Sequence, residues 1–199
     1  MPPSTTSRSS SRRAEAGPRD RIALHLRRSP GAATECVRRL WDPWLDPEAV
    51  RVERDPSGVP WARVGERRLP LSLSHAEGHT AAAAHLERRV GVDLERLRPL
   101  PSAYARYFLD PEERDALGGW GDPATATLAA WAVKEAVLKA RGRGLCDPPS
   151  SVRIRSLCER GVDLDDPEIT AGCWREGDRV VAVACVGAGG LPPVEVSRG

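Results

Sequence analysis

Apolar and polar positions recur along this chain with periods that mark out most of its elements. Leu69 to Ser74 alternates apolar residues with small polar ones, the period of a strand with one buried face. Val50 and Val52, followed by Glu53 and the turn residues Asp55-Pro56-Ser57-Gly58, open an earlier strand. Thr80 to Leu86 is a run of small residues compatible with strand or helix, and Arg88 to Leu94 reads as a strand ending in acids. Gly172 to Arg175 and Arg179 to Val186 form a hairpin across Glu176-Gly177-Asp178, and Ser151 to Ile154 reads as a further strand.

Helical signals fall between these runs. Cys36, Val37, Leu40, Trp41 and Trp44 recur at helical spacing, and Asp46-Pro47-Glu48 carries a cap, a first-turn proline and an acid suited to the helix dipole. Asp110-Pro111-Glu112-Glu113 opens a short helix closed by Gly118-Gly119. Asp122-Pro123 opens a longer one that runs to about Ala140, with Gly142 and Gly144 beyond it. Residues 20–88 and 89–192 thus each hold strands and at least one helix. We expect an α+β fold of two similar subdomains, a tail at 1–19 with little to bury, and a second tail at 193–199. The similarity of the strand pair near Val52 to Val64 and that of Ala171 to Val186 hints at an internal duplication.

Composition narrows the class. The 199 residues are 40% hydrophobic and 29% charged, values of an ordinary globular chain. A net charge of +2 does not point to nucleic acid. The five cysteines (Cys36, Cys146, Cys158, Cys173 and Cys185) show no C-x-x-C pair, which suits reduced thiols in a cytoplasmic protein. The longest apolar run, Val180 to Gly189, is about half of the ~20 residues that a membrane span requires. Among 30 basic residues only Lys134 and Lys139 are lysine, and both lie in the long helix.

That helix carries the candidate chemistry. It is apolar on nearly every face, so it is a buried helix, and charges inside it need partners. Trp131, Glu135 and Lys139 stack at i, i+4 and i+8. Asp93 and Glu95 lie two apart on a strand and share one face, where a hard cation such as Mg²⁺ would relieve their repulsion. Taken alone, the acid pair reads better as the end of an edge strand paired with Arg96 or Arg98. Ser74-His75 ends its strand; His25, His79 and His85 read as structural.

Together these pieces resemble the 4′-phosphopantetheinyl transferases, in particular the two-lobed, single-chain kind. Gly91-Val92-Asp93-Leu94-Glu95 and Trp131-Ala132-Val133-Lys134-Glu135-Ala136 with Lys139 look like the core signature of that family. Gly58-Val59-Pro60 stands where the family has Gly-Lys-Pro, and Leu71 to His75 where it has a strand ending in Ser-His. Tyr107-Phe108 with Glu112 or Glu113, and Gly142-Arg143-Gly144-Leu145, match flanking segments, so the likeness spans about residues 47 to 190. The resemblance implies a pseudo-twofold fold and a monomer that moves 4′-phosphopantetheine from coenzyme A to a serine of an acyl or peptidyl carrier protein. Adenosine 3′,5′-bisphosphate would be released with the help of Mg²⁺.

It further implies metal ligation by Asp93, Glu95 and Glu135, serine activation by Glu135, and pyrophosphate contacts from Lys139 and His75. Gly58, Pro60, Ser74, His75 and Lys139 would bind coenzyme A. Val59 takes the place of a Lys that would contact phosphate, and the family's upstream helix of regularly spaced basic residues, which would grip the 3′-phosphate, is not found here, leaving Arg38, Arg39 or Arg54 as substitutes for it. Arg141 and Arg143 are candidates for steering a carrier with an acidic helix after its modified serine. The alternative is a weakly active or inactive relative that only binds coenzyme A or a carrier protein. Membrane and nucleic acid are not expected partners.

Overall fold

The computed structural model describes residues 20–28, 31–41, 45–100, 102–117, 120, 122–143, 146–159 and 161–199. The elements run β1 (Ile22–Arg27), α1 (Ala32–Trp41), β2 (Val50–Arg54), β3 (Pro60–Val64), β4 (Arg67–Ala76), β5 (His79–Ala84) and β6 (Val90–Arg96). There follow α2 (Ser102–Phe108), α3 (Pro111–Asp115), α4 (Pro123–Arg141), β7 (Ile154–Cys158), β8 (Gly161–Leu164), β9 (Ile169–Glu176), β10 (Arg179–Val186) and β11 (Val194–Arg198). The fold is mixed α+β.

Two sheets pack face to face, and each carries a helix on its outer side. The six-stranded sheet has the order β11-β1-β5-β4-β3-β2, the three-stranded one β6-β10-β9, while β7 and β8 form a separate hairpin. Ile22, Leu24, Ala81 and Ala83 of the larger sheet meet Val90, Val92, Leu94, Val181, Val183 and Cys185 of the smaller. On the far side of the larger sheet, Ala33, Cys36, Val37 and Leu40 of α1 pack on Ala23, Ala82 and Ala84. Helix α4 covers the smaller sheet against Val180, Ala182 and Ala184.

This layering explains why the 80–86 run was ambiguous. Strand β5 is buried on both faces, so Ala81 to Ala84 are all apolar and no period of two survives. Their small size lets a helix approach one side and a second sheet the other.

Helix ends follow the expected chemistry. The Asp122 side chain accepts from Thr125 N at 2.9 Å, and Gly142 ends α4 in the left-handed region at φ 71°. Asp110 and Glu113 form a reciprocal capping box on α3. Asp46 caps only a single 3₁₀ turn, Pro47–Ala49. Ser151 closes another such turn, so the strand expected there begins at Ile154.

The expected 193–199 tail is corrected. Val194 to Arg198 pairs in parallel with Ile22 to Leu26, as an edge of the larger sheet. Its short half-polar sequence carries little burial signal, and its partner is remote in the chain. Strands β1 and β8 were likewise not expected. The expected tail at 1–19, Trp44, Gly118-Gly119 and Gly144-Leu145 lie outside the described residues.

Candidate active site

Gly91 sets the distance between α4 and β6. A Cβ at this position would stand 1.8 Å from Ala136 O and 2.6 Å from Ala140 N, so only glycine lets the helix lie directly on the strand. That approach brings Glu135 and Lys139 against Asp93. Lys139 Nζ donates to Asp93 Oδ1 at 2.6 Å and to Val92 O at 3.0 Å. The charges are partly shielded, with Asp93 and Glu135 buried.

The strand edge is held from the other side by serine hydroxyls. Ser74 Oγ donates to Asp93 Oδ1 at 2.9 Å and accepts from Leu94 N at 3.2 Å. Ser72 Oγ accepts from Val92 N at 3.0 Å. These bonds satisfy backbone groups on the edge of β6 that no strand pairs, and they tie the two sheets together. Ser74 therefore positions Asp93, and Ser72 is a site residue that the sequence reading passed over as one polar letter in an alternation.

Asp93 Oδ2 and Glu135 Oε1 are buried without a hydrogen-bond partner. Burial, and then the Asp93 charge, holds the Glu135 carboxyl above the usual carboxylate range, with Lys139 opposing. Glu95 is pushed in the same direction by the same two causes. Its Oε1 accepts from Trp131 Nε1 at 3.0 Å, and its Oε2 lies 4.0 Å from Arg98. Trp131 is itself wedged 5.2 Å from both the Tyr104 and Phe108 rings. Among the described residues, no three His, Cys, Asp or Glu side chains converge as a ready-made metal centre. Two bare, hard oxygens on packed neighbouring elements still suit a divalent cation with water completing its shell.

Two clefts meet at Lys139. One, of about 500 Å³, is lined by Ser74, His75, Asp93, Glu95 and Lys139; the other, of about 450 Å³, by Pro60, Trp61, Arg68, Arg89 and Lys139. His75 is exposed on the first and Pro60 lies in the second, whereas Gly58 sits on an exposed turn whose carbonyl accepts from Arg54. A larger cavity of about 710 Å³ lies at the N-terminal end of α4 by Trp120 and Pro123, away from the paired carboxylates.

Lys134 belongs to a different structure. It is fully buried, and its Nζ donates to Glu113 Oε1 at 2.6 Å and to Val152 O at 2.5 Å. It locks α4 to α3 and to the approach of β7. Arg141 and Arg143 are paired with Asp166 and Asp147, so much of their charge is answered within the chain.

The 4′-phosphopantetheinyl transferase superfamily model matches residues 89–184, the segment that holds every acidic group of the cluster as well as Lys139. Over this segment the chain is similar to that superfamily. Relatives in the phosphopantetheinyl transferase group agree. The transferase HetI of a Nostoc species is 34% identical over 108 residues, covering 51% of this chain and 45% of its own. The transferases ffp and Sfp of Bacillus subtilis are 30% and 27% identical over 106 residues, each match covering 52% of this chain and 47% of the relative. The chain spans about half the length of the curated relatives it matches. Among the described residues, no helix is long and apolar enough to cross a membrane.

Proposed function

We propose that this protein transfers 4′-phosphopantetheine from coenzyme A to a serine of an acyl or peptidyl carrier protein, releasing adenosine 3′,5′-bisphosphate. The observation that carries the reading is the unpartnered, buried Asp93 Oδ2 on a carboxylate that pairs with the Lys139 ammonium where two clefts meet, with Glu135 Oε1 also buried and unpartnered.

Asp93 and Glu135 would hold Mg²⁺, with Glu95 as a third ligand or acting through water. Bound there, the ion would neutralise charge on the pyrophosphate and on the departing nucleotide. An ammonium has three donors, and two of those on Lys139 are engaged, so one remains for a phosphate oxygen. His75, exposed in the same cleft, supplies a second contact. Glu135, with its carboxyl held high, accepts the serine proton as the serine oxygen–phosphorus bond forms. The bridging phosphorus–oxygen bond breaks, and its electron pair leaves on the nucleotide. Such transfers depend mainly on positioning and charge neutralisation, which a rigid strand and helix provide.

The layered halves, each a sheet with one outer helix, support a pseudo-twofold relation between 20–88 and most of 89–192. We place the enzyme in the cytoplasm as a monomer. All five cysteines are free, which agrees with a reducing compartment.

The test is intact-mass analysis of apo carrier proteins incubated with enzyme, coenzyme A and Mg²⁺, looking for added phosphopantetheine. Glu135→Gln should cut the rate by about 100-fold or more at an unchanged melting temperature. A folded wild-type protein that binds coenzyme A yet modifies no carrier would instead be a binding module. Full turnover in Glu135→Gln would remove Glu135 from the chemistry.

A further inference from the structure

The cleft beyond Lys139 has a basic lining unlike the one expected from the sequence. Val59 lines it where the family resemblance has a phosphate-binding Lys. None of the three expected substitutes reaches it. Arg39 is tied to Glu35 on α1, Arg38 lies beside it in a separate cavity, and Arg54 donates to Gly58 O at 2.7 Å. Arg68 and Arg89 occupy the cleft instead, one from each side of the junction between the sheets.

Both arginines keep donors in reserve. The Arg68 guanidinium lies 4.5 Å over the Trp61 ring. Its nearest carboxylate oxygen, Asp55 Oδ2, is 3.8 Å away, beyond hydrogen-bond reach. Asp55 Oδ1 is already taken by Ser57 N, Ser57 Oγ and Val59 N. Arg89 makes one hydrogen bond among the described residues, from Nη1 to Arg141 O at 2.8 Å. That bond fixes the guanidinium at the end of α4, next to Gly142. A guanidinium has five N–H donors in a planar fork that matches phosphate oxygens. The other charged groups lining the cleft are Asp55 and Glu87 on the acidic side and Lys139 on the basic side. Asp55 and Lys139 are engaged by their own partners, and Glu87 is exposed. The free donors therefore favour a compact, doubly charged anion.

Resting on the coenzyme A reading above, we propose that Arg68 and Arg89 together grip the 3′-phosphate of the nucleotide, replacing the absent Lys. With the pyrophosphate at Lys139, which lines both clefts, the ribose would enter this adjoining cleft, whose lining includes Arg68 and Arg89. Arg68, held over Trp61, and Arg89, held by the helix end, are fixed before the ligand arrives, which lowers the ordering cost of binding.

The experiment compares coenzyme A with 3′-dephospho-coenzyme A as donors for the wild type, Arg68→Gln, Arg89→Gln and Arg89→Lys. The wild type should prefer coenzyme A by about tenfold or more in KM, the scale of one charge-assisted contact. Each Gln variant should raise the coenzyme A KM by about tenfold, keep kcat, and leave the 3′-dephospho-coenzyme A KM unchanged. Arg89→Lys should retain part of the preference. Calorimetric titration should show adenosine 3′,5′-bisphosphate binding tighter than adenosine 5′-monophosphate, with the difference shrinking in the Gln variants. A preference that persists in both Gln variants, or KM values that rise equally for both donors, would overturn the assignment. If the wild type transfers from neither donor, the functional reading falls, and the titration alone decides whether the arginines hold the phosphate.

Discussion

Lys134 offers a direct test of whether a buried charge next to the candidate site serves the fold or the chemistry. Its ammonium is sealed from water and donates to Glu113 and to Val152 O. Glu113 is buried as well, and its oxygens also accept from Ile154 N at 2.9 Å and Asp110 N at 3.1 Å. Lys134→Met matches the stem in size but leaves the Glu113 charge and the Val152 carbonyl without their cation. Breaking a buried pair on one side costs about 3–5 kcal/mol. For a chain of this length, each kcal/mol lowers the melting temperature by about 2–4 °C, so the expected fall is about 6–20 °C. Glu113→Gln on the Lys134→Met background removes the stranded charge while keeping an amide oxygen for Ile154 N, and should recover much of the loss. Calorimetry and urea unfolding of the wild type, Lys134→Met, Glu113→Gln and the double variant give the coupling energy, expected at about 0.5–3 kcal/mol. Carrier modification per folded molecule should stay at the wild-type level below the melting temperature. A Lys134→Met protein that melts within about 2 °C of the wild type, or keeps its melting temperature but loses turnover, would refute a structural role.

Two further outcomes are expected. Gly91→Ala places a methyl group 1.8 Å from Ala136 O and must push α4 off β6; the variant should lose about 1–3 kcal/mol or more in urea unfolding, along with the grip of Lys139 on Asp93. An unchanged unfolding midpoint would show that the helix can shift freely. Burial also pushes His25 and His85 below the usual histidine range. His85 Nδ1 accepts from Glu87 N and Arg88 N, so it is held as the neutral ring. The unfolded chain then takes up protons from about pH 6.5 that the folded chain refuses, and stability present above that pH is lost as the pH falls. His85→Asn should flatten the drop in urea midpoint between about pH 7 and 5.5; an equal drop in both proteins would exclude His85 as its source.

Much of the site was legible because it obeys local rules. Asp93 and Glu95 share a strand face, Glu135 and Lys139 share a helix face, and the glycine between strand and helix stood in the same motif. Lys134 shows where such reading stops. It lies beside Glu135 in the sequence, but its partner is set by α3 and the approach to β7, which no helical spacing reveals. The same holds for Ser72 and Ser74: alternation predicted their strand, yet their bonds to Val92 N and Leu94 N depend on how two sheets meet. Charge counting also misled. Arg38, Arg39 and Arg54 are basic letters in suitable segments, and each is occupied elsewhere, while Arg68 and Arg89 gain a role only through the cleft they line. Among the strands, those missed at β1, β8 and β11 are short or partly exposed, whereas β10, apolar from Val180 onward, was found.

The pairing of β11 with β1 bears on the order in which the molecule can be assembled. Ser197 meets His25 across 172 positions of sequence, so the larger sheet lacks its outermost strand until residues 194–198 have left the ribosome. Until then β1 presents an open edge with free backbone donors and acceptors, the kind of edge that invites pairing with another chain. Closing so long a loop is slow, and strands joined this way tend to dock late. A cut near residue 88 would not yield two independent halves, because one piece would carry a strand that completes the other. Supplying the residues of β11 in trans as a peptide to a chain shortened before Val194 would rebuild that edge, which makes this strand a natural handle for split-protein complementation.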